Sequence, residues 1–173
     1  MEIDDVILSD LTPHTDHRGQ LTEVFRQSWL PDTRFVQWNL VHSKGNALRG
    51  VHLHVKHADY LTVVANRMII GLKDMRRGSD SFERECCVEL NADTSQTIFI
   101  PVGVAHGFWF PEPASFLYAV SDYFNHDDEL AVKWNDPELG MFDHSLSPLL
   151  SERDQAAGSY SALLAEYELR IAE

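Results

Sequence analysis

A chain of 173 residues with 44% apolar content can build one domain with a core of its own, and is too short for two of ordinary size. Its 14 basic against 27 acidic residues give a formal net charge of -13 with no basic stripe, which excludes a nucleic-acid partner but allows a small anion held by a few arginines in a cleft. No apolar run reaches the roughly 18 residues of a membrane span. Met1-Glu2-Ile3-Asp4-Asp5 has no leader character, and the two cysteines, Cys86 and Cys87, are neighbours that cannot build a disulfide framework, so the expected setting is the cytoplasm.

Short apolar or alternating segments follow one another at 5–8, 21–25, 35–41, 47–53, 60–64, 68–72, 86–90, 97–100, 107–110 and 116–120, with Gly, Asn, Asp and Pro between them. A spacing of about ten residues is the pattern of an antiparallel sandwich or barrel. Ahead of the second segment, His14-Thr15-Asp16-His17-Arg18-Gly19 has turn composition, and Arg18 taken alone reads as a solvated charge. Alternation in 47–53 sends His52 and His54 to the side opposite Val51 and Leu53, into the interior, and His106 sits in a similar apolar run. Taken singly, each of these histidines is more readily a packed core residue than a chemical group, Tyr118 reads the same way, and Arg49 reads as a structural ion pair.

After 116–120 comes an acidic loop, 121–129, whose Tyr123 and Phe124 read as packing residues. Asp136 before Pro137 starts a turn. A helical segment is expected only at about 144–172, clearest from Tyr160 onward, where apolar residues fall at helical spacing and Ser159 or Ser161 can cap the start. The expectation is a single all-β domain over 1–173 with short C-terminal helices.

Four groups stand in order between Asp16-His17-Arg18-Gly19 and Leu150-Ser151-Glu152-Arg153-Asp154. They are Arg49-Gly50-Val51-His52, Ile100-Pro101-x-Gly103-x-Ala105-His106-Gly107-Phe108, Phe116-Leu117-Tyr118 and Trp134-Asn135-Asp136-Pro137. Together they resemble the successive signatures of the dTDP-4-dehydrorhamnose 3,5-epimerase family. The resemblance implies a cupin-type double-stranded β-helix, or jelly roll, that forms a homodimer and uses neither cofactor nor metal. It also implies epimerisation beside the 4-keto group of a nucleotide-diphosphate 6-deoxysugar, at C3, C5 or both, in deoxysugar biosynthesis. Such chemistry needs a base, a group that stabilises the enolate oxygen, and an acid on the opposite sugar face. The resemblance makes His52 the base, Asp154 the carboxylate that orients it, and Tyr118 the acid. It places Arg18, Gln37, Asn39, Arg49, His54, Tyr60 and His106 at the substrate.

The chain departs from that pattern at four points. His54 stands for a glutamine of the family, Tyr60 for a lysine that holds the enolate, and Ile70 for the carboxylate that partners the second histidine, His106. A Trp-Pro pair is replaced by the run Leu139-Gly140-Met141. Two other readings follow. In one, His52, His54, Asp59 and His106 hold Fe(II), Mn(II), Ni(II) or Zn(II) in a metal-dependent cupin, with His57 in a solvated loop. In the other, the chain is a non-catalytic homologue that binds a sugar nucleotide. A metal on His52 would take the lone pair that the base needs, so the two enzyme readings exclude each other at that residue. The metal-free epimerase is the expectation.

Overall fold

In the computed structural model, which describes residues 2–125 and 128–172, the chain runs through β1 (Ile7–Asp10), β2 (Pro13–Asp16), β3 (Gly19–Thr22), β4 (Gln37–Ser43), β5 (Ala47–His54), β6 (Asp59–Ala65), β7 (Arg67–Asp74), β8 (Glu85–Asn91), β9 (Gln96–Ile100), β10 (Val104–Phe110), β11 (Ala114–Val120) and β12 (Glu129–Ala131). Two helices follow, α1 (Glu152–Gln155) and α2 (Tyr160–Ile171). The strands form one sheet in the order β1-β9-β6-β11-β4 and another in the order β12-β5-β10-β7-β8, both antiparallel, with β2 and β3 as a separate hairpin. Two sheets whose neighbours are mostly not consecutive in sequence make the double-sheet jelly roll implied by the resemblance.

The alternation of β6, β7 and β11 explains why the sheets close on each other. Leu61, Val63 and Phe116 of the first sheet meet Ile70, Leu72 and Phe110 of the second in one buried cluster. A second cluster covers the outer face of β5. There Leu48, Val51 and Leu53 pack against Trp134, Leu139, Met141, Phe142, Tyr160, Leu163 and Tyr167. The C-terminal segment is thus fixed to the back of β5 by apolar burial, and this brings α1 alongside that strand.

β5, in the second sheet, is bulged where it pairs with β10. His106 pairs with His52 while Phe108 pairs with Arg49, so three steps along β5 match two along β10. Gly50 occupies the bulge at φ +111°, and a Cβ there would lie 2.9 Å from the His106 carbonyl oxygen. The bulge resets the alternation. Leu48 faces outward before it, Val51 and Leu53 face outward after it, and Arg49, His52 and His54 all face inward.

Some boundaries differ from those expected. The segment expected at 21–25 ends as β3 at Thr22, and the turn-like residues before it form the arm β2 of a hairpin. β12 begins at Glu129, the last residue of the stretch read as an acidic loop, too short to show a period and paired to the edge of β5. His126 and Asp127 of that loop lie outside the described residues, while Tyr123 and Phe124 are exposed rather than packed. Helix begins at Glu152, not near residue 144, because Leu149 exchanges backbone hydrogen bonds with Leu48 and Asn46 and holds the preceding chain extended. Ser159 caps α2 by accepting from the Ala162 N–H. Among the described residues no helix is long and apolar enough to cross a membrane.

Candidate active site

A cavity of about 190 Å³ opens between the sheets. Gln37 and Asn39 of β4 with Phe116 and Tyr118 of β11 form one wall; Arg49, His52 and His54 of β5 with His106 and Phe108 of β10 form the other. Asp59, His57, Glu129 and Arg153 also line it, with Val41, Val120 and Phe124.

His52 Nε2 lies 2.7 Å from Asp154 Oδ1. A carboxylate only accepts, so Nε2 bears the proton and the lone pair is on Nδ1. The carboxylate is fixed from its own side as well. Ser151, the N-cap of α1, accepts from the Asp154 N–H and donates its hydroxyl to Asp154 Oδ2 at 2.8 Å, a local loop of the capping-box type. Burial alone would raise the Asp154 carboxyl, but the hydrogen bond and charge of His52, with Ser151 and the Gly50 N–H, hold it below the usual carboxylate range. Asp154 is therefore a buried anion behind an imidazole that can gain a proton.

Burial, then the carboxyl groups of Asp59 and Glu129, raise the Tyr118 phenol against the opposing effect of Arg49, so Tyr118 stays protonated and able to donate. Beside it, Gln37 Nε2 donates to Asn39 Oδ1 at 3.1 Å and Gln37 Oε1 accepts from the Phe124 N–H. Asn39 Nδ2 is buried and has no partner among the described residues. Arg49 is positioned by its Nε donating to Ser43 Oγ at 2.8 Å.

Deeper in the cavity is a buried cluster of His54, His57, Asp59 and His106. Asp59 Oδ2 lies 3.6 Å from His54 Nε2 and 3.6 Å from His106 Nε2. Burial holds His54 well below its usual range, with His106 and His57 adding to the effect, and it pushes His106 down to about 4. Burial also raises Asp59 well above the carboxylate range, reinforced by Glu129 and Asp128. Both imidazoles are neutral near pH 7, so these approaches are not ion pairs.

The structure assembles His52, Asp154, Tyr118, Gln37, Asn39, Arg49, His54 and His106 around this cavity and leaves two expected residues away from it. Tyr60 follows Asp59 on β6 and faces the other side of the sheet, where its hydroxyl donates to the Val24 carbonyl and its ring packs on Phe25, Phe35 and Trp38. The side chain that enters the cavity in place of the expected Tyr60 is Asp59, because neighbouring strand residues point to opposite faces. Tyr60 instead lines a larger cavity of about 580 Å³ with Glu23, Arg26 and Trp29, which contains none of the groups named above. Arg18 is at the tip of the β2–β3 hairpin, exposed and paired with Asp16 at 2.6 Å.

Ile70 is core, as its apolar side chain requires, and the carboxylate facing His106 comes from β6 through Asp59. His57 is not solvated: it is buried, stacked on His54 at 3.9 Å, and its Nδ1 lies 2.8 Å from Asp128 Oδ2. Asp128, Glu129 and Arg153 escaped the sequence reading: the first two lie outside the recognised motifs, hinted at only by the clustering of acids in 127–129, and Arg153 stands inside the last motif, where only Asp154 was given a role.

The sequence matches the dTDP-4-dehydrorhamnose 3,5-epimerase family over residues 1–162. The dTDP-4-dehydrorhamnose 3,5-epimerases of Neisseria gonorrhoeae and Pseudomonas aeruginosa are each 34% identical over 93% of this chain. The chain spans 53% of the length of the Neisseria protein and 94% of the Pseudomonas protein. Similar solved structures include a dTDP-6-deoxy-D-glucose-3,5-epimerase from Legionella pneumophila in complex with dTDP-4-keto-L-rhamnose, with a TM-score of 0.86, 29% identity, and 96% and 94% of the two chains covered. A 3'-monoepimerase from Streptomyces bikiniensis in complex with dTDP-quinovose aligns with a TM-score of 0.84 at 26% identity, over 100% of this chain and 98% of that one. Sequence and fold agree, and the chain belongs to the dTDP-4-dehydrorhamnose 3,5-epimerase family.

Proposed function

We propose that this chain is a carbohydrate epimerase acting on a nucleotide-diphosphate 4-keto-6-deoxysugar, with dTDP as the nucleotide, in deoxysugar biosynthesis. The observation behind this reading is that His52 and Tyr118 stand on opposite walls of one cavity, because β5 and β11 belong to different sheets. Inversion at carbon requires removal of a proton from one face and delivery to the other, and two acid–base groups on facing sheets meet that demand. His52 Nδ1 takes the proton beside the ketone, Asp154 stabilises the imidazolium that forms, and the Tyr118 hydroxyl returns a proton to the opposite face. A volume of about 190 Å³ suits the sugar more than the whole substrate, so the nucleotide extends past Arg49 at the cavity mouth.

The working unit is proposed to be a homodimer. β1 and β4 are edges of the first sheet, and β4 presents Trp38 and Leu40 at 40% and 58% exposure, a surface that a second copy would cover. The free thiols of Cys86 and Cys87 fit a reducing compartment, and the proposed setting is the cytoplasm.

The test is solvent deuterium exchange into dTDP-4-keto-6-deoxyglucose followed by NMR. His52→Ala should lower exchange at least about a hundredfold. Tyr118→Phe should exchange the proton but return it to the original face. Undiminished exchange in the first variant, or inversion at the wild-type rate in the second, removes that residue from its role.

A further inference from the structure

Inversion in this cavity also needs a hydrogen-bond donor for the enolate oxygen. The base and the acid act above and below the plane of the enolate, so the oxygen lies in that plane and its donor has to sit where the two walls converge. Among the described residues no lysine lines the cavity. Of its two arginines, Arg49 is at the mouth and Arg153 pairs with Glu129. Tyr60, in the place of the family's lysine, faces the other side of β6. Asp59 stands at the convergence. It belongs to β6 in the first sheet, yet its Oδ2 lies 3.6 Å from His54 Nε2 on β5 and 3.6 Å from His106 Nε2 on β10, both in the second.

Asp59 is 5% exposed, and among the described residues no hydrogen bond reaches its carboxyl, since 3.6 Å is beyond that range. His106 donates from Nδ1 to the Val104 carbonyl at 3.0 Å, so its Nε2 carries the lone pair. An ionised carboxylate would set a negative oxygen against that lone pair, whereas a carboxylic acid has an O–H to offer. Burial disfavours the charged form, and the nearby Glu129 and Asp128 carboxylates disfavour a third negative charge, so the proton stays on Asp59 near pH 7. The result is an acidic donor lining the cavity with no acceptor within hydrogen-bond range among the described residues.

We propose that Asp59 is a further catalytic residue, whose O–H donates to the ketone oxygen of the substrate and holds the enolate as it forms. This role rests on the epimerase reading. As the C–H bond beside the ketone breaks, its proton passes to His52 Nδ1, the electron pair moves into the new C=C bond, and the carbonyl π pair moves onto oxygen. The Asp59 hydrogen bond strengthens as that oxygen gains charge, and its proton remains on the carboxyl. When Tyr118 delivers a proton to carbon from the opposite face, the pair returns and the ketone re-forms. His52 then loses its proton to solvent and the Tyr118 phenolate regains one. A carboxylic acid kept neutral by its site can thus donate at pH 7 where the family uses a lysine. The same group ionised would repel the enolate, so a single proton separates a stabilising Asp59 from an opposing one.

The experiment compares the full-length wild type with Asp59→Asn and Asp59→Leu, by deuterium exchange into dTDP-4-keto-6-deoxyglucose and by infrared spectroscopy at pH 7. Asparagine keeps a donor, while leucine fills the same space without one. Exchange should fall at least about a hundredfold in Asp59→Leu, the cost of one oxyanion donor, and Asp59→Asn should retain at least about tenfold more activity than that. The infrared difference between wild type and Asp59→Asn should contain the C=O stretch of a protonated carboxyl, shifted in D₂O, whether or not the protein turns over. Circular dichroism checks folding, and Asp59→Ala replaces Asp59→Leu if that variant fails to fold. A smaller loss in Asp59→Leu, equal losses in the two variants, or a spectrum with only an ionised carboxylate each overturn the proposal. A wild type that catalyses no exchange overturns the epimerase reading, while the carboxyl band still decides separately whether Asp59 holds its proton.

Discussion

Replacing Asp154 by Asn separates the charge behind the base from its shape. The carboxylate lies 2.7 Å from His52 Nε2, and its side chain is 5% exposed against 21% for the imidazole. When His52 takes the substrate proton, the pair becomes ionic. Charges about 4 Å apart at an effective dielectric of about 20 attract by about 4 kcal/mol, and the exposure of the imidazole reduces this to roughly 2–3 kcal/mol. That energy is present only after proton transfer, so its loss raises the barrier and slows the reaction roughly 30- to 150-fold. An amide also has a nitrogen to set against Nε2–H, which favours the tautomer with the proton on Nδ1 and slows the step further. The structural cost is smaller. Weakening the Ser151 loop at the start of α1 costs about 1 kcal/mol, or about 2–4 °C in Tm for a chain of this size. The assay is kcat for solvent exchange and for inversion, with KM and Tm recorded alongside. A folded Asp154→Asn protein with kcat within threefold of wild type would refute the assignment, as would a loss confined to KM.

Tyr60→Phe removes the hydroxyl that donates to Val24 at 2.6 Å, on the far side of β6 from the cavity. It should leave kcat within twofold and lower Tm by about 2–4 °C, as expected for about 1 kcal/mol; a tenfold fall in kcat would return Tyr60 to the substrate. Asp74 is buried, and although burial alone would raise its carboxyl, hydrogen bonds from Arg76, Ser81 and Ser79 lower it from 3.8 to about 2. A depressed carboxyl contributes stability that is complete above its ordinary value and lost as pH falls through the folded one, so about 2 kcal/mol should disappear between about pH 4 and pH 2. Urea unfolding across that range measures the loss; an Asp74→Asn protein should be less stable at neutral pH and show a flatter acid limb, and equal acid slopes would contradict the assignment.

Much of this protein is legible in its residues. Alternation marked most of the strands, since a half-buried strand must place apolar side chains at every second position. The ordered motifs around His52, His106, Tyr118 and Asp154 announced the family and the residues that converge on one cavity. The 102-residue separation of His52 and Asp154 is closed by the apolar residues of the C-terminal segment, which were visible in the sequence without their destination.

Only the tertiary structure decided which face each side chain takes. Alternation assigns residues to two sides but cannot give the phase across a bulge, so the joint inward placement of Arg49 and His52 depends on Gly50 and the register with β10. The same one-residue step put Asp59, not Tyr60, into the cavity, and motif order had no means of resolving it. His57 read as solvated because its neighbours in sequence are polar, yet it is buried by His54 across the strand turn and by Asp128 from 71 residues away. The partner of His106 moved from one strand to another while the contact persisted. A site of this kind is set by distances between strands that are remote in sequence, and those distances exist only once both sheets have closed.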